Sequence, residues 1–247
     1  MKSQIATFKK GDPQWLELRK KFITGTEMAG LFGFNKYLSP AKILREKECS
    51  TFKDNVFTRM GKILEPAVLN FASEQLKADL HLAGSGSDNV MIYNEEMRIS
   101  ATPDAYHKKL EAGVGVYLLE LKTTSLKNLV EWEVNPPVHY LLQLAVQGVL
   151  LNIKLGYLVI MHPRYPDLPG IIFKLDIDIP KIRTILTNEV VRFWASEGFK
   201  VDKQKADQLR ELLMSNTKLK RSTLLESDKT PEPLTFLSWD ESNGGEG

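Results

Sequence analysis

Apolar positions recur at helical spacing in some stretches of the chain and crowd into short runs in others. Asp12-Pro13 followed by Trp15, Leu16 and Leu18 predicts a helix with proline in its first turn. Thr24-Gly25-Thr26-Glu27 opens a short helix that Gly33 ends, and Ser39-Pro40 caps another through Ala41, Ile43 and Leu44. From Met60 to Leu76, Ile63, Leu64, Ala67, Val68 and Phe71 fall at helical spacing. Pro66 interrupts that pattern and suggests a helix start there.

The pattern then changes to β-like runs at Asn89–Tyr93, Met97–Thr102 and Val116–Lys122, with Gly84, Gly86, Gly113 and Gly115 marking turns. Pro136-Pro137 precedes a helix to about Leu151, and Leu155–Met161 and Gly170–Leu175 read as two further strands. Helices are predicted again from Pro180 through Trp194 and over Ala206–Asn216. The sum is an α/β fold, a central mixed sheet flanked by helices.

The chain has 247 residues, 43% hydrophobic and 26% charged, ordinary for a globular protein with a sizeable core. A main domain over 1–200, a basic C-terminal helix over 201–222 and an acidic, disordered tail over 223–247 are expected. The tail holds six acids and one lysine, a charge of −5, so the formal +2 of the whole chain leaves +7 on residues 1–222. A moderately basic body suits a polyanion. Within the tail, Leu234–Trp239 is apolar enough to dock on the body or on a partner. One cysteine, Cys49, excludes an intrachain disulfide and a cysteine-ligated iron–sulfur cluster. The N-terminus has no apolar stretch of signal-peptide length, and Tyr140–Met161 is broken by Gln143, Gln147, Asn152 and Lys154, so no membrane span and a cytoplasmic location are expected.

Candidate chemistry gathers in one region. Asp104 follows a proline at the end of a β-like run, and Glu120 and Lys122 stand two apart in an apolar strand, hence on one face. A buried carboxylate and ammonium are costly unless they pair or bind something. A structural ion pair at a strand edge accounts for them. The functional alternative is a divalent-metal site, with Asp104, Glu120 and the Leu121 carbonyl as hard oxygen ligands suited to Mg²⁺ and Lys122 beside the attacking water. By pattern alone, Glu65 reads as a surface acid on its helix, and Gln143 and Gln147 as the polar stripe of theirs.

Six motifs then line up in order. Gly11-Asp12-Pro13-Gln14-Trp15-Leu16-Glu17-Leu18-Arg19, Ile23-Thr24-Gly25-Thr26-Glu27, the Gly-Lys-x-x-Glu of Gly61–Glu65, the Ser-Ala-Thr-Pro-Asp of Ser100–Asp104, Glu120-Leu121-Lys122 and the Tyr-x-x-Gln of Tyr140–Gln143 are similar to those of the lambda-exonuclease-like, viral-recombinase branch of PD-(D/E)XK nucleases. The resemblance implies a restriction-endonuclease-like core over 1–200 and Mg²⁺, with Mn²⁺ as a substitute, on Asp104, Glu120, Leu121 and Glu65. It gives Lys122 water activation, Gln143 an orienting role, and Arg19, Thr26 and Thr102 the pocket for a DNA 5′-phosphate. Guanidinium and hydroxyl donors suit such a group.

The implied activity is 5′→3′ digestion of one strand of linear duplex DNA. The overhangs would feed a single-strand annealing protein, and the enzyme would be a homo-oligomer, a trimeric ring being the form suggested. A related endonuclease and a degenerate end-binding protein are the alternatives. Gly25 stands where alanine is usual, Thr26 and Thr102 where serine is common, and Ala105 where glycine often follows the aspartate. The four histidines lack metal-ligand spacing, with His139 the nearest to DNA; Trp15 and Trp194 are expected in the core, and a duplex-splitting wedge in the Asn35–Ser39 loop.

Overall fold

Two sheets, rather than the single one expected, form the frame, and the chain crosses between them at Thr102-Pro103-Asp104. The computed structural model describes residues 2–9, 12–49, 56–84, 88–107, 117–164 and 169–223. In chain order these form β1 (Gln4–Lys9), α1 (Pro13–Lys20), β2 (Ile23–Thr24), α2 (Gly25–Leu31), α3 (Pro40–Cys49) and α4 (Val56–Leu76). Next come β3 (Leu80–Leu82), β4 (Asp88–Asn94), β5 (Ile99–Ala101), β6 (Ala105–His107) and β7 (Leu118–Thr123). The rest is α5 (Leu126–Val134), α6 (Val138–Leu151), β8 (Leu155–Met161), β9 (Gly170–Asp176), α7 (Ile179–Ala195), α8 (Lys203–Ser215) and β10 (Thr217–Ser222).

The smaller sheet has the order β1-β4-β5-β2 and the larger β10-β9-β8-β7-β6-β3. Each is mixed, because β2 runs parallel to β5 and β7 parallel to β8 while the other pairs are antiparallel. The near-continuous apolar runs of β7, β8 and β9 are explained by cover on both faces. Leu119 and Leu121 of β7 pack with Val68, Phe71 and Ala72 of α4, while Leu118 belongs to the main core around α6. Ten residues of α6 between Val138 and Leu150 are buried, and each fully buried leucine there contributes about 1.5–3 kcal/mol. Gly156 admits this helix closely: a Cβ there would meet Leu144 Cγ at 2.7 Å.

The caps follow their residue chemistry. The Asp12 carboxylate accepts from the Gln14 amide before Pro13, and Thr24 with Glu27 forms a reciprocal capping box at α2. The start expected at Pro66 is absent, because α4 runs through it. Pro66 is exposed, on the side where water can replace the missing ladder bond.

The basic helix expected over 201–222 is a helix followed by a strand. Ala206, Leu209 and Leu213 of α8 are buried in the main core, so this segment completes the body rather than following it. Lys218, Lys220 and Arg221 lie exposed on β10, an edge strand, where charge discourages further pairing. Apart from Thr223, the acidic tail lies outside the described residues, as does its Leu234–Trp239 segment. Among the described residues no helix is long and apolar enough to cross a membrane.

Candidate active site

The site lies at the seam between the sheets. β6 pairs antiparallel with β7, Ala105 opposite Leu119, and continuing that register sets Asp104 opposite Glu120. Asp104 precedes β6, so the Leu121 amide beyond it would lack a ladder partner on that side; it donates instead to Asp104 Oδ2 at 2.9 Å.

Period-2 geometry brings Glu120 and Lys122 together as expected. Lys122 Nζ lies 2.6 Å from Glu120 Oε1 and 3.1 Å from Asp104 Oδ2, and it donates to the Leu121 carbonyl at 3.0 Å. Thus three oxygens attributed to a metal converge on one cationic nitrogen. Glu120 Oε2, on a side chain only 3% exposed, accepts from Gln147 Nε2 at 2.6 Å.

The electrostatics show a shortage of positive charge. Burial, then the neighbouring Asp104, pushes the Glu120 carboxyl up to about 7. The same two causes push Glu65 up to about 7, which places Glu65 within reach of the Asp104 charge although it stands on α4. Burial works against the Lys122 charge, but Asp104 and Glu120 outweigh it and hold the ammonium above the ordinary lysine value. As arranged, Lys122 is a hydrogen-bond donor and not a proton acceptor. His139 is driven down to about 4 by burial and then by the Lys122 charge, so it is neutral, packed against Trp132 and Tyr140.

Among the described residues no three His, Cys, Asp or Glu side chains are grouped to hold a metal ion. The donors that do converge are two carboxylates and a backbone carbonyl. They are hard oxygens with excess negative charge, a set that fits Mg²⁺ once Lys122 yields the centre.

A cavity of about 200 Å³ opens beside this group. Arg19, Thr26 and Thr102, far apart in sequence, line it together with Lys62, Glu120 and Gln143. Parallel pairing of Thr24 with Ser100 brings the α2 turn against the end of β5 and so assembles its wall. Two larger cavities, each about 420 Å³, lie elsewhere, and neither has a carboxylate side chain among its described lining residues.

Several residues differ from expectation or were missed. Gln147, and not Gln143, bonds Glu120; both lie on one face of α6, and only the chain path shows which reaches the strand. Lys62 and Ser100 line the cavity too, and the buried Ser100 Oγ has no hydrogen-bond partner among the described residues. Both fall inside motifs already singled out for their neighbours. Trp15 is half-buried at the cavity wall rather than in the core, with the Arg19 guanidinium 5.2 Å from its ring centroid. Trp194 packs on the main core as expected. Tyr37, in the loop expected to hold a wedge, is 73% exposed. Where alanine was the usual residue, a Cβ on Gly25 would lie 3.5 Å from the Gln143 Cα, an ordinary contact.

Residues 14–149 match the YqaJ-like viral recombinase domain. The fold is similar to that of an alkaline exonuclease, LHK-Exo, from Laribacter hongkongensis, at 17% identity over 83% of this chain and 97% of that chain, with a TM-score of 0.57. The same protein in complex with dAMP aligns at 16% identity, the same coverage and a TM-score of 0.55. A phage related exonuclease from Haemophilus somnus 129PT aligns at 13% identity over 81% of this chain and 98% of that one, with a TM-score of 0.48. No curated protein matches the sequence.

Proposed function

The chain belongs to the YqaJ-like viral recombinase family, the lambda-exonuclease-like group that its motifs resemble, and from that premise we propose that it is a Mg²⁺-dependent 5′→3′ exonuclease acting on linear duplex DNA. One observation carries the reading: a cavity of about 200 Å³ is lined by the donors Arg19, Thr26 and Thr102 together with Glu120 and Gln143. An anchor for a terminal phosphate beside a carboxylate–lysine group selects strand ends and fixes which phosphodiester is cut.

Asp104, Glu120, the Leu121 carbonyl and Glu65 would hold the Mg²⁺, with Mn²⁺ as a substitute. The cation, when bound, supplies charge stabilisation on the phosphate and on the leaving oxygen. Lys122 Nζ donates to the attacking water and orients it, a role consistent with its retained proton. Gln147 holds the Glu120 carboxylate in place from α6, and Gln143 orients groups at the cavity mouth. Support for the product class comes from the neighbour of like fold that holds dAMP, a nucleoside monophosphate. The remaining strand would be a 3′ overhang for a single-strand annealing protein, and a ring-shaped homo-oligomer, a trimer, would keep the enzyme on its DNA.

The test uses linear duplex DNA labelled at one 5′ or one 3′ end, with Mg²⁺ or EDTA. Release of the 5′ label as mononucleotide, only with Mg²⁺ and with closed circles untouched, is the expected result. Cutting of closed circles would move the protein to the endonuclease reading, and binding without cleavage to the end-binding one.

A further inference from the structure

Beside the cavity-lining segment Thr24–Thr26, and not itself lining the cavity, is a buried ion pair that the reading above leaves without a role. Lys47 of α3 is 8% exposed and Glu27 of α2 is 4% exposed. Lys47 Nζ donates to Glu27 Oε2 at 2.6 Å, to the Phe22 carbonyl at 2.6 Å and to the Arg19 carbonyl at 3.0 Å. All three ammonium protons are therefore used. Glu27 Oε2 also accepts from the Thr24 amide at 2.8 Å.

These contacts tie the end of α1, the start of β2 and the first turn of α2 to one atom. The tied segment carries Arg19, Thr24, Gly25 and Thr26, which line the cavity. Ser100–Thr102, which also line it, are placed by the pairing of β5 with β4 and are joined to this segment through Thr24 of β2. A surface lysine would serve solubility as well; a buried one costs desolvation that structural packing does not require, since an apolar side chain of like volume would fill the same space. What an apolar side chain would not do is fix two backbone carbonyls.

We infer that Lys47 is a positioning residue for the 5′-phosphate pocket, its ammonium clamping the Arg19–Glu27 segment so that Arg19 and Thr26 face the terminal phosphate at fixed spacing. The inference rests on the pocket reading given above. The clamp acts through the backbone and touches no substrate. It should therefore govern how well a 5′-phosphate is told from a 5′-hydroxyl, not the chemistry at Lys122.

The test compares wild type, Lys47→Met and the double variant Glu27→Gln/Lys47→Met on duplexes with 5′-phosphoryl or 5′-hydroxyl ends, measuring kcat and KM for each. Lys47→Met alone leaves the Glu27 charge buried and unpaired, so its thermal midpoint should fall. The double variant removes both charges and should recover most of that midpoint. Both should lose roughly tenfold or more of the preference for phosphorylated ends, through KM, as expected for a misplaced anchoring group. Hydroxyl-ended substrates should keep their kcat. A double variant that folds well and keeps wild-type preference would overturn the clamp alone. A wild-type protein indifferent to the 5′-phosphate would overturn the pocket reading and the clamp with it.

Discussion

Gln147 Nε2 donates to Glu120 Oε2 at 2.6 Å, a bond between a residue 2% exposed on α6 and a carboxylate equally buried on β7. It is the contact by which the helix orients the strand's acid. Removing the amide leaves a buried carboxylate oxygen without its donor and favours the protonated form of Glu120. Gln147→Leu should therefore lower the cleavage rate by about 10–100-fold, the range for partners that orient a ligand, and move the rate profile to higher pH. A pH–rate comparison with wild type checks this; a rate drop with no shift would assign Gln147 to packing only.

Asp104 is the second test of the site. Its carboxylate accepts from Leu121 N and from Lys122 and would contribute a charge to the cation. Asp104→Asn keeps the shape and removes the charge. Cleavage should fall by roughly a thousandfold or more, while binding to DNA ends, measured by gel shift in EDTA, stays near wild type. Retained cleavage would sink the assignment.

For Arg19, the expected signature is selective. Arg19→Ala removes a charge-assisted donor worth about 1.5–3 kcal/mol, so preference for 5′-phosphoryl over 5′-hydroxyl ends should fall by about 10–100-fold. Equal loss on both kinds of end would count against the pocket.

His139 makes the acid limb of the stability profile predictable. Its folded value, about 4, lies below the ordinary 6.5 of the imidazole, so the unfolded chain binds the proton more readily. A depressed value contributes stability that is present above 6.5 and is lost as the pH falls from 6.5 toward 4. The loss should reach about 2 kcal/mol by pH 5. His139→Gln should flatten that limb in urea denaturation series at pH 5 and 7.5, and an unchanged slope would place the titrating group elsewhere.

Gly25 offers a test in the other direction. A methyl there meets only ordinary contacts, and the position opens a helix. Gly25→Ala should raise stability by about 0.4–1 kcal/mol by restricting the unfolded chain, with cleavage unchanged. A lower thermal midpoint would show that the α2 turn needs glycine after all.

Most long elements and the Asp104–Glu120–Lys122 grouping were legible, because helical spacing, capping pairs and a period of two are local properties. What escaped was decided by partners far along the chain. β1 has no buried residue, and only its pairing with β4 makes it a strand. The segment over 217–222 carries the lysines of a solvated helix face, yet β9 leaves an edge that it fills. Gln143 and Gln147 were equivalent by pattern, and the crossing of α6 over β7 separates them. That two sheets meet at Pro103 is likewise a matter of pairing, to which composition gives no clue.

Pro66 has a mechanical consequence for the candidate site. Without its amide, α4 lacks one rung just after Glu65. The 67–76 half is fastened by buried Val68, Phe71 and Ala72, whereas Val56, Met60 and Ile63 of the earlier half are 61%, 47% and 69% exposed. Lys62 and Glu65 thus ride on the more compliant half, while Asp104, Glu120 and Lys122 are fixed to the stiff sheet. A change in charge at the seam, such as a cation displacing the Lys122 ammonium, can be absorbed by a small tilt of one helical turn, and the β-framework need not deform.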